Sequence, residues 1–390
     1  MFPPCRRLGA AGVLLLVVLA LSPASESAAK TTPRLGSHSM IGPQMDPATV
    51  DALFKASHDA HLGIVRLDVL ASWLFPNGPD APDWSSLDAV RASARRHHEQ
   101  VLALLSAVPL WDARCTTLTE RFYRCPPADD AQWARIVEKI AARAPEIRFW
   151  EILNEANLVN AGTGVGEYFY GDAVQYARFL RVTSAALKRG NPNAKVVFTG
   201  VVQPYDAWLA EVLAQPGAAR AFDIANAHFR GGIGKLDDMV RSAKAAFRRG
   251  GFRGPLWVSE MGYSSDQAFQ WDPDYLGYDP QGAQREQARY VHDAITTLLR
   301  AGAKRVFVTL RDLDSTWGIF TSEGLIDWPG ASAKPSYFAV QGYARRLIRH
   351  AARRAARGRA LRGSARAHAR LHRAQAQRRG SARRASSASR

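Results

Sequence analysis

The sequence predicts an α/β fold, a single (β/α)8 TIM barrel followed by a disordered basic C-terminal tail. From residue 36 to residue 350, short apolar runs rich in Val, Ile, Leu and Phe alternate with amphipathic helical stretches. Strands that are apolar throughout indicate a parallel sheet covered by helices. Eight such units favour a closed barrel over an open doubly wound sheet. The first strand also lacks the Gly-rich loop that follows it in nucleotide-binding folds.

The predicted strands are bounded by Gly, Pro, Asn or Asp. They cover 36–42, 62–69, 101–107, 147–154, 195–202, 222–229, 255–261 and 304–310. Helical periodicity between them predicts helices that include 47–60, 86–98, 129–144, 172–189 and 282–300. Pro145, Pro192 and Gly302 end three of these helices shortly before the next strand. We therefore expect the barrel domain to span residues 30–350.

Residues 1–29 have the layout of a secretory signal peptide. Arg6 and Arg7 precede an apolar run over 8–21, and small side chains at 27–29 match the positions that a signal peptidase recognises. The apolar run is short for a membrane span. These features predict a secreted, extracellular protein with no transmembrane span in the mature chain. An uncleaved N-terminal anchor is the alternative.

Two of the three cysteines lie in the mature part of the chain, and Cys5 would leave with the signal. Cys115 and Cys125 are ten positions apart, and in an oxidising compartment this spacing indicates a disulfide that closes a surface loop. Closing so short a loop stabilises the fold by about 2–3 kcal/mol in the chain-entropy model. Half of a metal site is the alternative, but the loop contains no His. We expect neither a metal nor an organic cofactor.

The net charge of +17 comes mostly from the C-terminus, because residues 351–390 contain thirteen Arg and no Asp or Glu. The rest of the chain has 39 basic and 35 acidic residues, which is ordinary for a globular domain. A segment of Arg, Ala and Ser repeats cannot bury a core, so 351–390 is predicted to be disordered. It could bind an anionic envelope polymer or another polyanion, or be a solvated tail without a partner. Nucleic acid is not expected for an exported chain, and the sequence does not predict an oligomeric state.

Two glutamates follow apolar runs at the predicted ends of the fourth and seventh strands. Asn154 and Glu155 follow the run that begins at Phe149, and Glu260 follows the run 255–259. Active sites of such barrels lie at the C-terminal ends of the strands. The fourth and seventh strands lie on opposite sides of the barrel, so the two carboxylates should face each other. Retaining glycoside hydrolysis needs two carboxyl groups about 5–5.5 Å apart.

These motifs resemble those of the clan A glycoside hydrolases, most closely families 39 and 5. The two segments read Trp-Glu-Ile-Leu-Asn-Glu-Ala-Asn over 150–157 and Trp-Val-Ser-Glu-Met-Gly over 257–262. The resemblance covers roughly residues 36–345. It implies that Glu155 is the general acid/base, Glu260 the nucleophile, and Asn154 the donor to the sugar 2-hydroxyl. Glu155 must carry a proton to donate, whereas Glu260 must be charged to attack.

The predicted activity is hydrolysis of β-O-glycosidic bonds in oligo- or polysaccharides with retention, through a covalent glycosyl-enzyme intermediate. A β-xylosidase- or β-glucosidase-like exo-enzyme and an endo-β-glycanase remain open. The alternative function is a non-catalytic carbohydrate-binding or envelope-associated barrel whose tail binds polyanions.

Further polar residues are candidates for the same site. Arg66 interrupts an apolar strand, and the resemblance implies that it keeps the nucleophile ionised; an ion pair with a strand-end acid such as Asp68 is the alternative. His228 ends the sixth strand, where relatives carry a substrate-contacting His. Many relatives have Tyr two positions later, where it contacts the nucleophile, but this chain has Arg230. Tyr263 is a candidate replacement for that tyrosine.

Three aromatic elements are candidate sugar contacts, because an aromatic face suits the apolar face of a sugar ring. Trp111 follows the third strand and resembles a subsite tryptophan of relatives. Trp317 lies beyond the eighth strand, and the loop 271–278 is rich in Trp, Tyr and Asp. Ordinary packing is the alternative for each of them.

Overall fold

The computed structural model describes residues 34–42, 44–115, 122–159, 166–266, 268, 282–313, 318, 320–328, 330–358 and 369. The chain divides into two units, Met1–Thr32 and Pro33–Arg390. The predicted signal peptide, residues 1–29, lies outside the described residues.

All eight predicted strands are present. They are β1 Leu35–His38, β2 Ile64–Leu70, β3 Gln100–Ser106, β4 Phe149–Ile152, β5 Lys195–Val197, β6 Ala225–His228, β7 Leu256–Met261 and β8 Arg305–Thr309. Their order in the sheet is β5-β4-β3-β2-β1-β8-β7-β6, with every neighbouring pair parallel. Two parallel bridges, Val197 with Ile224 and Val201 with Ala227, join β5 to β6. The sheet therefore closes on itself, and the predicted (β/α)8 barrel is confirmed.

Helices surround this barrel. They are α1 Pro47–Asp59, α2 Ala71–Leu74, α3 Ser85–Arg96, α4 Asp130–Arg143, α5 Ala173–Gly190, α6 Asp206–Ala214, α7 Leu236–Arg249, α8 Ala283–Ala301, and α9 over 335–358. Asp46, Asp129 and Asp172 cap α1, α4 and α5 by accepting hydrogen bonds from backbone N–H groups of the first turn. Gly302 ends α8 in the left-handed conformation, with φ +107°, which glycine adopts without strain.

The helix α9 crosses the boundary that the sequence places at residue 350. Residues 351–358 continue the helix that begins at residue 335, so the first eight residues of the predicted tail are helical and mostly exposed. Alanine and arginine are both good helix formers, and a preceding helix removes the cost of nucleation. Of the remaining tail, only residue 369 is described. No helix within the described residues is long and apolar enough to cross a membrane.

The core has two parts. The larger part lies between the sheet and the helices. The smaller part consists of side chains contributed by seven of the strand segments: Ile64, Leu102, Phe149, Val197, Ile224, Trp257 and Phe307. Most of these residues lie near the N-terminal ends of their strands, so they fill that end of the barrel and leave the other end for polar groups.

Candidate active site

Inside the barrel, the side chains change from apolar to polar just beyond the smaller core, toward the C-terminal ends of the strands. Ile64 and Phe149 belong to that core, and the residues two positions further along the same strands are Arg66 and Glu151. Alternate residues of a strand point to the same face, so both charged side chains also point into the barrel. They are 1% and 0% exposed. Charges buried this deeply must be paired, and they identify the polar end of the barrel as the candidate active site.

Glu155 and Glu260 meet at this polar end. One carboxylate oxygen of each lies within 4.8 Å of the other, and both residues are buried. Retaining glycosidases hold their two carboxyl groups about 5–5.5 Å apart, whereas inverting enzymes need about 6.5–9.5 Å to admit a water. The separation therefore suits a mechanism in which one carboxylate attacks the sugar directly.

The turn after β4 presents Glu155 in a strained backbone conformation. Leu153 and Glu155 have φ values of +62° and +36°, which residues other than glycine rarely adopt. Asn157 fixes the end of this turn: its side chain donates to the carbonyl of Val202 at 2.6 Å and accepts from the Val202 amide at 3.0 Å. Strain of this kind persists only where the surrounding structure enforces it, and it is common at active sites.

A cavity of about 580 Å³ lies over the two glutamates. Both carboxylates line it, together with Arg66 and Asn154. Aromatic and basic side chains form further parts of the wall: Trp73, Tyr123, Arg124, Tyr168 and Phe320. A mostly apolar cavity with a few convergent charged groups is the usual form of a small-molecule site, and this one is large enough for sugar units.

Arg66 connects the two sides of the site. Its Nε and Nη2 donate to the two carboxylate oxygens of Glu151 at 2.7 and 2.9 Å, and its Nη1 donates to Glu260 Oε2 at 3.3 Å. Arg66 thus makes both the structural ion pair and the contact with the proposed nucleophile that the sequence left as alternatives. Burial alone would raise the pKa of Glu151, but Arg66 and His228 hold it at about 2.

Asn154 is oriented by the same arginine. Arg66 Nη2 donates to Asn154 Oδ1 at 2.8 Å, so the amide NH₂ group of Asn154 must lie on the other side. Asn154 also lines the cavity. Its NH₂ group is therefore available to donate to a hydroxyl of a bound sugar, which is the role expected from the sequence.

The protonation of His228 follows from its neighbours. The hydroxyl of Ser259 donates its single proton to Glu151 Oε1 at 3.3 Å and accepts from Asn226 Nδ2 at 2.7 Å. His228 Nε2, 2.9 Å from the same oxygen, must therefore donate to it. The other ring nitrogen, Nδ1, lies 2.7 Å from Glu155 Oε1. His228 is thus tied directly to the proposed acid/base.

Burial alone would lower the pKa of His228, but Glu260, Glu151 and Glu155 raise it to about 9. At neutral pH His228 is an imidazolium, and its Nδ1 donates to Glu155. Gly200 makes room for the ring, because a Cβ at that position would lie 2.0 Å from His228 Nε2. His228 thus contacts Glu155, whereas it is not among the described residues that line the cavity, so its predicted contact with the substrate stays a prediction.

Glu260 is surrounded by basic groups. Its Oε1 accepts from Arg230 Nη2 at 2.5 Å, and its Oε2 lies 3.3 Å from both Arg66 Nη1 and His38 Nδ1. Burial alone would raise the pKa of Glu260, but Arg230, His228 and Arg66 hold it well below its ordinary value. Burial lowers the pKa of His38 to about 3, so His38 is a neutral neighbour of Glu260 rather than a cation. Glu260 is therefore ionised, as a nucleophile must be.

Tyr263 does not take the role suggested for it, and the structure gives that role to Arg230. The Tyr263 side chain is fully buried, donates to Glu286 Oε1 at 3.1 Å and stacks on Tyr290 with ring centroids 3.9 Å apart. Three residues beyond Glu260, the chain has already left the barrel interior. Arg230, by contrast, contacts the Glu260 carboxylate directly.

The other predicted residues lie in different settings. Trp111 packs against the core, its indole N–H donates to the carbonyl of Phe75 at 2.7 Å, and it is not among the described residues that line the cavity. Trp317 and the loop 271–278 lie outside the described residues. The disulfide is confirmed: Cys115 and Cys125 are bonded, with Cα atoms 5.8 Å apart. It lies beside Arg124, which lines the cavity.

Glu155, His228 and Glu260 also form a possible metal-ligand cluster, with one ligand atom of each within 4.8 Å of the others. The chemistry of the site disfavours a cation there. Both ring nitrogens of His228 are already hydrogen-bonded, Nδ1 with Glu155 and Nε2 with Ser259, and Arg66 and Arg230 pair with the two carboxylate oxygens of Glu260. The described residues therefore fit a metal-free carboxylate pair better than a metal centre.

Sequence reasoning missed His38, Glu151 and Glu323 as members of the site. A signal for Glu151 was present, because a charged residue stood within the apolar run of β4 at the spacing of the inward face. His38, at the end of β1, was a comparable signal. Glu323 lies beyond β8 in an irregular segment, where no periodicity indicates direction.

No family model matches this chain, and no curated protein matches its sequence. Comparison with solved structures gives many matches. A family 39 glycoside hydrolase from Bacteroides cellulosilyticus is 18% identical, with a TM-score of 0.57 over 80% of this chain and 63% of that one. An exo-β-1,4-mannosidase from Opitutaceae bacterium strain TAV5 is 14% identical, with a TM-score of 0.60 over 82% of this chain and 60% of that one.

A family 5, subfamily 18 enzyme from Streptomyces cattleya, solved with Man-β-1,4-GlcNAc, is 17% identical, with a TM-score of 0.60 over 81% of both chains. These likenesses show a shared barrel fold. The resemblance to families 39 and 5 that the two motifs indicated is confirmed at that level. This chain spans less than two thirds of the first two structures, which contain further segments.

Proposed function

We propose that this chain is a glycoside hydrolase that cleaves β-O-glycosidic bonds of oligo- or polysaccharides with retention, by double displacement. One observation carries the proposal: Glu155 and Glu260 lie within 4.8 Å of each other beside a cavity of about 580 Å³. The matching barrels are described as glycoside hydrolases, which supports the same class of reaction here.

In the first step, Glu260 attacks the anomeric carbon while Glu155 donates its proton to the glycosidic oxygen. The carbon–oxygen bond to the leaving group breaks, and the sugar becomes an ester of Glu260. Asn154 is placed to donate to a hydroxyl of the reacting sugar, a hydrogen bond that strengthens in the transition state. The cations around Glu260 keep it ionised until it attacks.

In the second step, the Glu155 carboxylate takes a proton from water, and the water oxygen attacks the anomeric carbon. Glu260 leaves as a carboxylate, and its negative charge again faces Arg66 and Arg230. These two guanidinium groups stabilise the departing carboxylate, because preorganised charges act most strongly where charge develops. Two displacements at the same carbon restore the β configuration.

The test is a screen of aryl β-glycosides of xylose, glucose and mannose, followed by proton NMR of the first product formed. We expect hydrolysis of at least one sugar and the β-anomer as first product. Glu155→Gln and Glu260→Gln should lose activity, whereas Glu138→Gln, an exposed glutamate paired with Arg189, should not. An α-anomer as first product would refute retention. Binding of oligosaccharides without hydrolysis by the wild type would favour the non-catalytic barrel.

Substrate and location remain further proposals. The mannosidase and the Man-β-1,4-GlcNAc complex among the matching structures support β-mannosides as candidates beside xylosides and glucosides. Comparing the products from a long and a short oligosaccharide separates exo from endo action. The Cys115–Cys125 disulfide supports export, since disulfides persist in oxidising compartments. Fractionation of a culture that expresses the full chain tests this proposal.

A further inference from the structure

Arg230 occupies a position that matters for the nucleophile. It follows β6 two residues after His228, at the position where the resemblance to families 39 and 5 implies a tyrosine. Its Nη2 donates to Glu260 Oε1 at 2.5 Å. The side chain is only 14% exposed, and its guanidinium carbon lies 4.8 Å from the centroid of the Phe320 ring, which lines the cavity. A permanent cation therefore replaces a neutral hydroxyl at this contact.

Glu323 fixes Arg230 in place. Nε and Nη2 of Arg230 donate to the two carboxylate oxygens of Glu323, each at 2.9 Å, which is the bidentate geometry that fits a guanidinium to a carboxylate. The Glu323 side chain is fully buried and also accepts from Thr309 Oγ1 at 2.9 Å. Gly262 allows this approach, because a Cβ there would lie 2.2 Å from the Glu323 carboxyl carbon.

Arg66 and Arg230 are arranged alike around the nucleophile. Arg66 is paired through two nitrogens with Glu151, and it reaches Glu260 Oε2 with Nη1. Arg230 is paired through two nitrogens with Glu323, and it reaches Glu260 Oε1 with Nη2. Each guanidinium thus has a carboxylate of its own and extends one further hydrogen bond to the nucleophile. Neither is left without a counter-charge when Glu260 becomes an ester.

We propose that Arg230, locked by its bidentate pair with Glu323, is a positioning residue that orients and holds ionised the nucleophile Glu260, and so sets the acidic limit of hydrolysis. The inference rests on the proposed function. It assigns to an Arg–Glu pair the contact that a tyrosine makes in similar enzymes.

The charged and titratable groups around Glu260 come from several strands and their following segments. They are His38, Arg66, Asp68, Glu151, Glu155, His228, Arg230 and Glu323. Of the cations among them, Arg230 makes the shortest contact with Glu260, and its Coulombic effect is the largest that holds the Glu260 pKa down. Removing one adjacent arginine typically raises a carboxyl pKa by about 1–3 units, which makes Arg230 the most informative position to change.

The experiment compares the wild type with Arg230→Tyr, Arg230→Lys and Glu323→Gln. The readout is the pH profile of kcat/KM on an aryl glycoside whose phenol leaves readily, because proton donation then contributes little and the acid limb reports the nucleophile. Arg249→Met is the control. It removes the exposed arginine at the end of α7, which pairs with Asp206 at the start of α6. Circular dichroism and thermal unfolding establish that each variant is folded.

In Arg230→Tyr the acid limb of the pH profile should move to higher pH by at least one unit. In Arg230→Lys, which keeps the positive charge, most of this shift should be absent. Glu323→Gln should lower kcat but move the limb in the opposite direction, since it removes a negative charge. A merely structural role would lower activity in both variants without opposite shifts. An acid limb that stays within 0.3 units of the wild type in folded Arg230→Tyr, roughly the error of such profiles, would overturn the proposal. If Arg230→Tyr does not fold, the double variant Arg230→Tyr/Glu323→Gln avoids a buried unpaired carboxylate. Its acid limb should still move upward, by less than a full Arg230→Tyr shift, because Arg230 is closer to Glu260 than Glu323 is.

A measurement that needs no activity separates this proposal from the proposed function. In protein labelled with carboxyl-¹³C glutamate, the resonance absent from Glu260→Gln identifies Glu260, and its shift can be followed against pH. It should titrate at higher pH in Arg230→Tyr than in the wild type. If no glycoside is hydrolysed but this difference is found, the proposed function fails while the positioning of Glu260 by Arg230 stands.

Discussion

Glu99 lies at the start of β3, at the end of the barrel opposite the active site, and its burial predicts a pH-dependent cost in stability. The residue is 8% exposed, and Oε2 has no hydrogen-bond partner among the described residues. His58 Nδ1 lies 3.6 Å from Oε1, which is beyond ordinary hydrogen-bonding distance. Burial raises the pKa of Glu99 from 4.5 to about 8.

The sign follows from the direction of this shift. The folded state binds the proton more tightly than the unfolded state, so stability is full below the unfolded pKa and falls as pH rises toward the folded pKa. A pH of 7 is about 2.5 units above the pKa of Glu99 in the unfolded chain. At 1.36 kcal/mol per unit, burying this carboxyl lowers the free energy of unfolding at pH 7 by about 3 kcal/mol. At pH 5 the same calculation gives less than about 1 kcal/mol.

Glu99→Gln removes the ionisation and keeps the shape of the side chain. We expect the variant to be more stable than the wild type by about 3 kcal/mol at pH 7 and nearly equal at pH 5. Urea unfolding at both pH values measures the difference, with Glu138→Gln as an exposed control. A Glu99→Gln effect that is the same at pH 5 and pH 7, or a loss of stability at pH 7, would refute the reasoning.

Three other predictions address catalysis, the core and the tail. Glu155→Ala should slow hydrolysis of substrates with poor leaving groups by about 10²–10⁴-fold. Azide should restore turnover of an activated aryl glycoside by this variant and give a β-glycosyl azide. Full activity on substrates with poor leaving groups would contradict the assignment of Glu155 as acid/base. Arg305→Met should stabilise the fold by about 1 kcal/mol or more. Arg305 Nη1 and Nη2 have no hydrogen-bond partner among the described residues, where the rings of Phe149 and Trp257 face the cation. A lower midpoint of thermal unfolding in the variant would contradict this prediction. Truncation after Gly358 should leave turnover of a soluble glycoside unchanged and reduce retention on anionic vesicles at low salt, and loss of folding would show that the tail is structural.

The barrel could be predicted from the sequence because its strands are short, apolar and regularly separated. Each predicted strand overlaps one in the structure, and the predicted ends of most helices lie within one or two residues of the observed ones. Composition did not locate the end of the last helix, and the domain boundary at residue 350 stays a prediction. The arginines and alanines of 351–358 break the amphipathic pattern, but they favour helix and continue α9.

The site could be predicted where a polar residue interrupts or ends an apolar strand, as Arg66 does in β2, or belongs to a known motif. Glu155, Glu260 and Asn154 lie where the motifs placed them. Tyr263 was misplaced, since spacing along the chain does not indicate which way a side chain turns once the strand has ended. The partner of Arg230, Glu323, is 93 positions away in an irregular segment, and only the folded structure brings the two together.

His228 lies between the two carboxylates that exchange charge in the proposed mechanism. In its first step Glu155 would lose its proton and become negative, while Glu260 would become a neutral ester. The negative charge therefore passes between two carboxylates, and His228 Nδ1 lies 2.7 Å from Glu155 Oε1 and 3.6 Å from Glu260 Oε2. His228, whose pKa the neighbouring glutamates raise to about 9, is thus within reach of both carboxylates between which the charge passes. The total charge of the site stays constant through the step, and the same fixed dipoles and ions solvate its start and its end.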